Sequence, residues 1–108
     1  MTAIRICALD ELGQDEALRV DVDDFSIAIV KDSSGIVHAI GDTCTHGDIS
    51  LSEGFVDGET IECWAHGSKF SLLTGKPTSL PAYEPVPVYR VTIVDGDVFV
   101  DPYDTIAV

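Results

Sequence analysis

Two short segments in the middle of the chain each carry one cysteine and one histidine. One residue separates Cys44 from His46, and two residues separate Cys63 from His66. Sixteen residues, 47–62, lie between the two pairs. Thiolates and imidazoles are preferred ligands of borderline and soft metal ions. Two such segments closing on one centre therefore predict a metal site with these four side chains as ligands.

Two Cys and two His fit either of two metal centres. One is a tetrahedral zinc ion, and the other is a [2Fe–2S] cluster with two Cys on one iron and two His on the other. Finger-type zinc sites usually group Cys with Cys and His with His, whereas each segment here has one of each. The spacing therefore favours the cluster. A Cys–His nucleophile pair would explain only half of the arrangement, and a chance pairing would need most of the chain's three Cys and three His.

Glycines at positions 47 and 67 directly follow the two histidines. A residue without Cβ lets the backbone approach a ligand closely and aim its N–H groups inward. N–H donors near bound sulfide stabilise the negative sulfur and raise the reduction potential. We therefore expect Gly47 and Gly67 to support a cluster without ligating it.

The segments on either side of this region are predicted to be β-strands. Residues 25–31 and 36–40 are rich in β-branched side chains and flank a turn cluster, Asp32 to Gly35, which predicts a hairpin. Residues 88–94 and 98–100 flank Asp95 and Gly96, a strong hairpin signal. Helical periodicity is weak, and residues 9–17 are expected to form a turn or one short helical turn.

Between residues 41 and 87 the strand-like runs are short, and glycine and proline are frequent. Such a stretch would pack poorly alone, so we expect loops organised around the metal centre, with the flanking strands as their base. The length of 108 residues suits one domain, 1–108, with residues 41–87 as the cluster-binding subdomain.

The net charge of −13 repels nucleic acid and anionic membranes, which are not expected as partners. It either attracts a partner with a basic patch or only keeps the protein in solution, and charge alone does not separate the two. We find no apolar run of membrane-spanning length and no secretory signal, and we expect a cytoplasmic protein. An odd number of cysteines argues against a disulfide framework. Cys7 lies in an apolar stretch and is expected to be a small buried hydrophobe.

The C-x-H and C-x-x-H pairs, each followed by glycine, resemble the Rieske signature. Residues 4 to about 100 are similar to the Rieske ferredoxins that serve bacterial aromatic-ring dioxygenase systems. The resemblance implies one Rieske-type [2Fe–2S] cluster, with Cys44 and Cys63 on the inner iron and His46 and His66 on the outer iron near the surface. It also implies an all-β fold, an antiparallel β-sandwich or barrel-like base with an inserted cluster-binding subdomain.

The resemblance has departures that bear on the reduction potential. High-potential Rieske proteins carry a disulfide between the cluster loops, and Ile49 and Ala65 stand at those positions. They also carry a Ser and a Tyr whose hydroxyls bond to sulfur, where this chain has Ser68 and Phe70. We therefore expect a potential near the low end of the Rieske range, roughly −150 mV, raised somewhat by Ser68.

Three further residues are interpreted in the same way. Residues 75–81 resemble the third loop that shields the cluster, with Pro81 in it. Trp64 either covers the cluster from water or anchors its loop. His38 lies in an alternating strand and is expected to be solvated and not to be a ligand.

These observations predict a one-electron carrier and not an enzyme, because the chain has no phosphate-binding loop and no room for a catalytic mononuclear iron domain. The expected partners are a reductase and a terminal oxygenase, and the protein is expected to be a monomer. Acidic residues that flank the cysteine segments, such as Asp42, Asp48 and Glu53, are expected to steer the partners electrostatically. The alternatives are a Rieske protein of iron–sulfur cluster assembly or other metabolism, and a zinc-stabilised interaction module.

Overall fold

Nine antiparallel strands build the part of the chain that the computed structural model describes, which is residues 3–22, 24–44, 49–65, 67–78 and 84–106. The strands are β1 (Ile4–Ala8), β2 (Glu16–Val22), β3 (Phe25–Lys31), β4 (Val37–Gly41), β5 (Phe55–Asp57), β6 (Thr60–Glu62), β7 (Lys69–Ser71), β8 (Val88–Val94) and β9 (Asp97–Thr105). Six of them form one sheet in the order β1-β9-β8-β4-β3-β2. The other three form a second sheet in the order β5-β6-β7, which lies within the predicted subdomain.

The helical content of the described residues is limited to two 3₁₀ helices, Leu9–Glu11 and Leu51–Glu53. The first is the short helical turn expected within residues 9–17. The prediction of an all-β fold of antiparallel strands is confirmed. None of these helices is long and apolar enough to cross a membrane, as far as the described residues extend.

Strand β3 is covered on both of its faces. Its four central residues are fully buried. Ala28 and Val30 belong to a core cluster that also contains Cys44 and Cys63, whereas Ile27 and its neighbour two positions on belong to a second cluster. A continuous apolar run, in place of alternation, is what a strand buried on both faces requires. β3 therefore joins the core around the two cysteines to the core of the base.

Both predicted hairpins form at the predicted turns. Between β3 and β4, Gly35 has a φ of +86° and its N–H donates to the carbonyl oxygen of Asp32 at 3.0 Å. Between β8 and β9, Asp95 and Gly96 have φ values of +50° and +78°, as a type I′ turn requires. β9 continues past the predicted end to Thr105, because Thr105 pairs with β8 beyond an irregularity in the register.

The expectation that His38 is solvated is wrong. Its side chain is only 7% exposed, and its Nε2 lies 2.7 Å from Oδ2 of the fully buried Asp32. The other carboxylate oxygen accepts the N–H groups of Ser34 at 2.8 Å and Ile36 at 3.0 Å. The alternation of β4 gave no sign of this pairing, because its partner lies in the turn.

Cys7 is buried in the base of the fold. It is 4% exposed and packs in the second core cluster. Burial, and after it the charge of Glu11, raises the pKa of its thiol. The prediction that Cys7 is a small buried hydrophobe is confirmed.

A pair of turns connects the two sheets. The N–H of Ser33, in the β3–β4 turn, donates to the carbonyl oxygen of Gly58, in the β5–β6 turn, at 3.3 Å. The N–H of Gly58 donates in return to Oγ of Ser33 at 3.0 Å. The small sheet is thereby held against the base while its own loops carry the second cysteine.

Candidate metal centre

Cys44 and Cys63 are brought together in one apolar cluster. Cys44 follows the end of β4 and is 2% exposed, and Cys63 follows the end of β6 and is fully buried. Both belong to the same core cluster, and no disulfide involves any of the three cysteines, all of which the structure describes. Two buried thiols on separate loops, with no disulfide between them, suit ligands of one centre better than isolated packing residues.

The first cysteine segment is closed by backbone pairing across its base. The N–H of Cys44 donates to the carbonyl oxygen of Ile49 at 2.8 Å. Thr43 and Ser50 form an antiparallel bridge, and the N–H of Leu51 donates to the carbonyl oxygen of Asp42 at 2.6 Å. These contacts join residues 42–44, which include the cysteine, to residues 49–51 at the other end of the segment.

Backbone hydrogen bonds join the two ends of the second cysteine segment. The N–H of Cys63 donates to the carbonyl oxygen of Ser68 at 2.8 Å, and the N–H of Gly67 donates to the carbonyl oxygen of Cys63 at 2.9 Å. Gly67 has a φ of +75°, which side chains rarely allow. Glycine is thus needed here for its dihedral angle, since an added Cβ would come no nearer than 4.0 Å to Oε2 of Glu62.

A close approach between two stretches of backbone is found at Gly54, which the sequence analysis did not single out. A Cβ on Gly54 would lie 1.9 Å from the carbonyl oxygen of Glu62, the residue before Cys63. The end of the first loop therefore rests directly on the backbone that carries the second cysteine. Sequence reasoning missed this residue because it lies eight positions from the segment it contacts.

The beginning of the third loop is also fixed by contacts. Gly75 has a φ of +75°, and its added Cβ would lie 2.0 Å from the carbonyl oxygen of Val86. Pro77 forms a bridge with Phe70 of β7. The segment that resembles the shielding loop thus leaves β7 in close contact with the core.

The side chains near the second cysteine divide between core and surface. Ser68 and Phe70 are fully buried. Phe70 stands where high-potential Rieske proteins have a tyrosine, so this chain has no hydroxyl at that position. Trp64 is 52% exposed although it directly follows a buried cysteine. The Trp64 side chain therefore lies about half in solvent, whereas the cysteine before it lies in the core.

The remaining predicted site residues, His46, Gly47, His66 and Pro81, lie outside the described residues. Within the described part of the chain, no three or more His, Cys, Asp or Glu side chains gather in a group that could hold a metal ion. Of the predicted site residues, the structure therefore describes Cys44, Cys63, Gly67 and Ser68.

Comparison with known families decides which centre these segments serve. A family model described as the Rieske [2Fe–2S] domain matches residues 2–90. The chain belongs to the Rieske [2Fe–2S] family. The resemblance seen in the sequence is thereby confirmed, and the Rieske chain carries one [2Fe–2S] cluster and not a structural zinc ion.

Named relatives and a solved structure agree with this membership. The biphenyl dioxygenase ferredoxin subunit of Pseudomonas sp. (strain KKS102) is 44% identical over 102 residues, which cover 94% of this chain and 93% of that protein. The 3-phenylpropionate/cinnamic acid dioxygenase ferredoxin subunit of Escherichia coli (strain K12) is 38% identical over 102 residues, 94% of each chain. A ferredoxin-like chain in a solved complex of reduced oxygenase and oxidized ferredoxin of carbazole 1,9a-dioxygenase superposes with a TM-score of 0.89 at 35% identity, covering 97% of both chains.

The residues present fit this Rieske cluster. Two thiolates are the sulfur ligands that such a cluster requires on one iron. Both thiols are buried in apolar surroundings, which limits access of water to the sulfur. The positive φ of Gly67 turns the backbone of the second loop back toward Cys63. The donor set thus matches the family on the side of the centre that the structure describes.

We expect Ser68→Ala to lower the reduction potential of this Rieske protein. The fully buried Ser68 lies in the loop of Cys63, and it matches the serine whose hydroxyl bonds to sulfur in high-potential Rieske proteins. Losing that donor leaves more negative charge on sulfur and disfavours the reduced state. The measurement is a redox titration followed by visible circular dichroism.

The matched control is Ser71→Ala, at the end of β7 and three residues after Ser68. Its hydroxyl already accepts the N–H groups of Leu73 at 3.2 Å and Thr74 at 3.3 Å, so its removal should leave the potential unchanged. Equal potentials in Ser68→Ala and the unmodified protein would contradict a sulfur-bonding role for Ser68.

Proposed function

We propose that this protein carries single electrons from a reductase to a terminal oxygenase of an aromatic-ring dioxygenase system. The observation that carries the proposal is the near full-length match to ferredoxin subunits of such systems. A ferredoxin subunit delivers electrons, and the oxygenase is the enzyme. The solved complex of an oxygenase with a ferredoxin supports direct contact between the two proteins.

We propose Cys44, His46, Cys63 and His66 as the cluster ligands, with Gly47, Gly67, Ser68 and Pro81 around them. The burial of both cysteines in one hydrophobic core cluster supports Cys44 and Cys63 as ligands. The family signature supports the histidine half. We further propose one domain, residues 1–108, with the cluster-binding subdomain at about residues 41–87.

When bound, the cluster supplies a site that accepts and returns one electron. The chain's own contribution is to bury the cysteine side and to present a surface to the partner. Trp64 offers an exposed apolar ring next to Cys63. Aromatic side chains are enriched at protein interfaces because they bury much area and lose little conformational entropy. We assign Trp64 to the contact surface for the redox partners.

The surface charge favours partners with basic patches. The chain has 19 acidic and 6 basic residues, and four of the basic residues form ion pairs with acidic ones among the described residues. The expectation that Asp42 steers as an exposed charge is wrong, since Asp42 is only 2% exposed and its carboxylate is used inside the loop. Glu53 is exposed and remains a steering candidate, and Asp48 lies outside the described residues.

The test is stopped-flow reduction of the protein by its reductase, and its oxidation by the oxygenase, across a salt series. We expect both second-order rate constants to fall as salt rises, because the Debye length shrinks from about 10 Å at 0.1 M to about 3 Å at 1 M. A protein that neither partner reduces or oxidises would refute the proposed function. Electron transfer with a flat salt dependence would refute only the steering.

A pair of aromatic variants tests the contact surface in the same assay. Trp64→Ala is expected to slow electron transfer to the oxygenase while leaving the visible spectrum unchanged. Tyr103→Ala is the control, since Tyr103 is a still more exposed aromatic residue on β9 of the other sheet. Equal rates for both variants would remove Trp64 from the interface.

The cytoplasm and a monomeric state complete the proposal. Cluster thiolates and a third cysteine that is not in a disulfide suit a reducing compartment. The alternative of a Rieske protein in cluster assembly or other metabolism predicts that assembly proteins, and not a ring-hydroxylating oxygenase, would exchange electrons with it. The relatives named above favour the oxygenase.

A further inference from the structure

The carboxylate of Asp42 lies inside the first cysteine loop, two residues before Cys44. Its side chain is 2% exposed in a chain whose net charge is −13. Burying a charged group is unfavourable unless hydrogen bonds replace its water. The contacts of this carboxylate therefore indicate what its burial achieves.

The carboxylate oxygens bind the returning end of the loop. Oδ2 accepts the hydroxyl of Ser50 at 2.5 Å, and Oδ1 accepts the N–H of Ser52 at 2.9 Å. The backbone of Asp42 adds two more contacts, since its N–H donates to the carbonyl oxygen of Ser26 at 3.0 Å and its own carbonyl oxygen accepts from Leu51. Asp42 is thus hydrogen-bonded both to strand β3 and to residues 50–52.

The residues between these contacts are the ones that carry the first cysteine pair. Because Asp42 joins residue 42 to residues 50–52, it closes the ends of the segment 43–49 with hydrogen bonds from the protein alone. We propose that Asp42 is a positioning residue, whose side-chain hydrogen bonds to Ser50 and Ser52 hold the Cys44 loop in the shape that binds the cluster. This inference rests on the proposed role of Cys44 as a ligand.

The ion pair of Asp42 is secondary to these hydrogen bonds. Nε of Arg19 lies 3.7 Å from Oδ2, a longer distance than either hydrogen bond. The Arg19 side chain is half exposed and also contacts Asp21 at 3.3 Å. Solvent-exposed, shared ion pairs contribute little. The hydrogen-bonding shape of the carboxylate, and not its charge, is therefore the property that holds the loop.

This distinction sets the experiment. Asparagine at position 42 keeps an oxygen for the N–H of Ser52, and its amide N–H₂ donates to the Ser50 hydroxyl, which rotates to accept. Alanine removes both contacts. The measurement is the rate at which the visible absorbance of the cluster-loaded protein bleaches in excess EDTA, together with the EPR spectrum of the reduced protein.

We expect Asp42→Ala to lose its cluster roughly 10- to 100-fold faster than the unmodified protein, the range typical of residues that orient metal ligands. Its EPR signal should be broadened, because the loop samples several arrangements. Asp42→Asn should retain the cluster and the EPR spectrum close to those of the unmodified protein. If Asp42→Ala does not fold, Ser50→Ala removes one of the hydrogen bonds and should speed cluster loss in the same direction.

The control is Asp101→Ala. Asp101 is also buried, at 8% exposure, and accepts the N–H of Tyr103 at 3.0 Å, but it lies on β9 outside the cysteine loops. Asp101→Ala should lose its cluster at the unmodified rate. The inference is overturned if Asp42→Ala keeps its cluster normally, if Asp42→Asn loses it as fast as Asp42→Ala, or if Asp101→Ala does so too.

A Cys44→Ala variant separates this inference from the one on which it depends. A cluster retained in Cys44→Ala would overturn the ligand assignment and the positioning role with it. A cluster lost in Cys44→Ala but retained in Asp42→Ala would overturn only the positioning role.

Discussion

Cys63→Ala is expected to abolish the [2Fe–2S] spectrum, whereas Cys7→Ala is expected to leave it unchanged. Both cysteines are buried and neither is in a disulfide, so they differ in position and not in exposure. Cys63 lies in the same hydrophobic core cluster as Cys44, whereas Cys7 lies in the second hydrophobic core cluster. An iron without one of its two thiolates is not held, so the loss should be nearly complete.

The measurement is iron and acid-labile sulfide per chain, with the visible spectrum of protein purified without oxygen. His66→Ala should behave as Cys63→Ala does, because it removes a ligand of the other iron. A Cys7→Ala protein without cluster, or a Cys63→Ala protein with a full complement of iron, would refute the ligand set.

His38→Ala is expected to destabilise the protein by about 3 kcal/mol without changing the visible spectrum. Removing the ring leaves the buried Asp32 carboxylate without one of its hydrogen-bond partners, at a cost of roughly 1–3 kcal/mol and more for a charged group. The loss should not exceed about 3 kcal/mol by much, because Asp32 keeps the N–H groups of Ser34 and Ile36. The measurement is the free energy of unfolding of the cluster-loaded protein in urea. An unchanged free energy would show that the pair contributes nothing.

His38→Gln is the matched control, since its amide N–H₂ can still donate to Asp32 and should recover part of the loss. The spectrum provides the second comparison. If His38→Ala lost the cluster as His66→Ala does, His38 and not His66 would be the candidate ligand.

The same pair makes the stability of the protein depend on acid. Burial alone would raise the pKa of Asp32, but the hydrogen bonds from His38, Ile36 and Ser34 outweigh it and lower the pKa below its ordinary value. A carboxyl whose pKa is lower in the folded state contributes stability above the unfolded value, about 3.9, and loses it as the pH falls through the folded value. The difference in unfolding free energy between the unmodified protein and His38→Ala should therefore shrink below about pH 4.

Local sequence signals predicted most of the fold. The β-branched run of residues 25–31 is strand β3, and Asp95 with Gly96 forms the expected turn. These features succeed because the physical cause lies within a few neighbouring residues. A continuous apolar run needs cover on both faces, and a type I′ turn needs residues that tolerate positive φ.

The candidate site was predictable in its cysteine half for a different reason. Cys44 and Cys63 stand out by chemistry and spacing, and the fold brings both into one core cluster. The residues that support them were not found, because their partners lie far along the chain. Asp42 pairs with Arg19 across 23 positions, and its burial depends on Ser50 and Ser52 folding back over it. His38 was misjudged because its partner lies in a turn, where a polar residue is normally solvated.

Gly54 restricts what can be varied when the protein is engineered. A side chain there would meet the carbonyl oxygen of Glu62 and push apart the two loops that carry the thiols. A mutagenesis library aimed at a different reduction potential should therefore hold position 54 as glycine. At Gly58, an added Cβ would meet no atom within 4 Å, so only its φ of +61° limits the choice, and residues such as asparagine that tolerate positive φ suit that position. If both glycines were randomised alike, the variants with a side chain at position 54 would have displaced cysteine loops and could not assemble the cofactor.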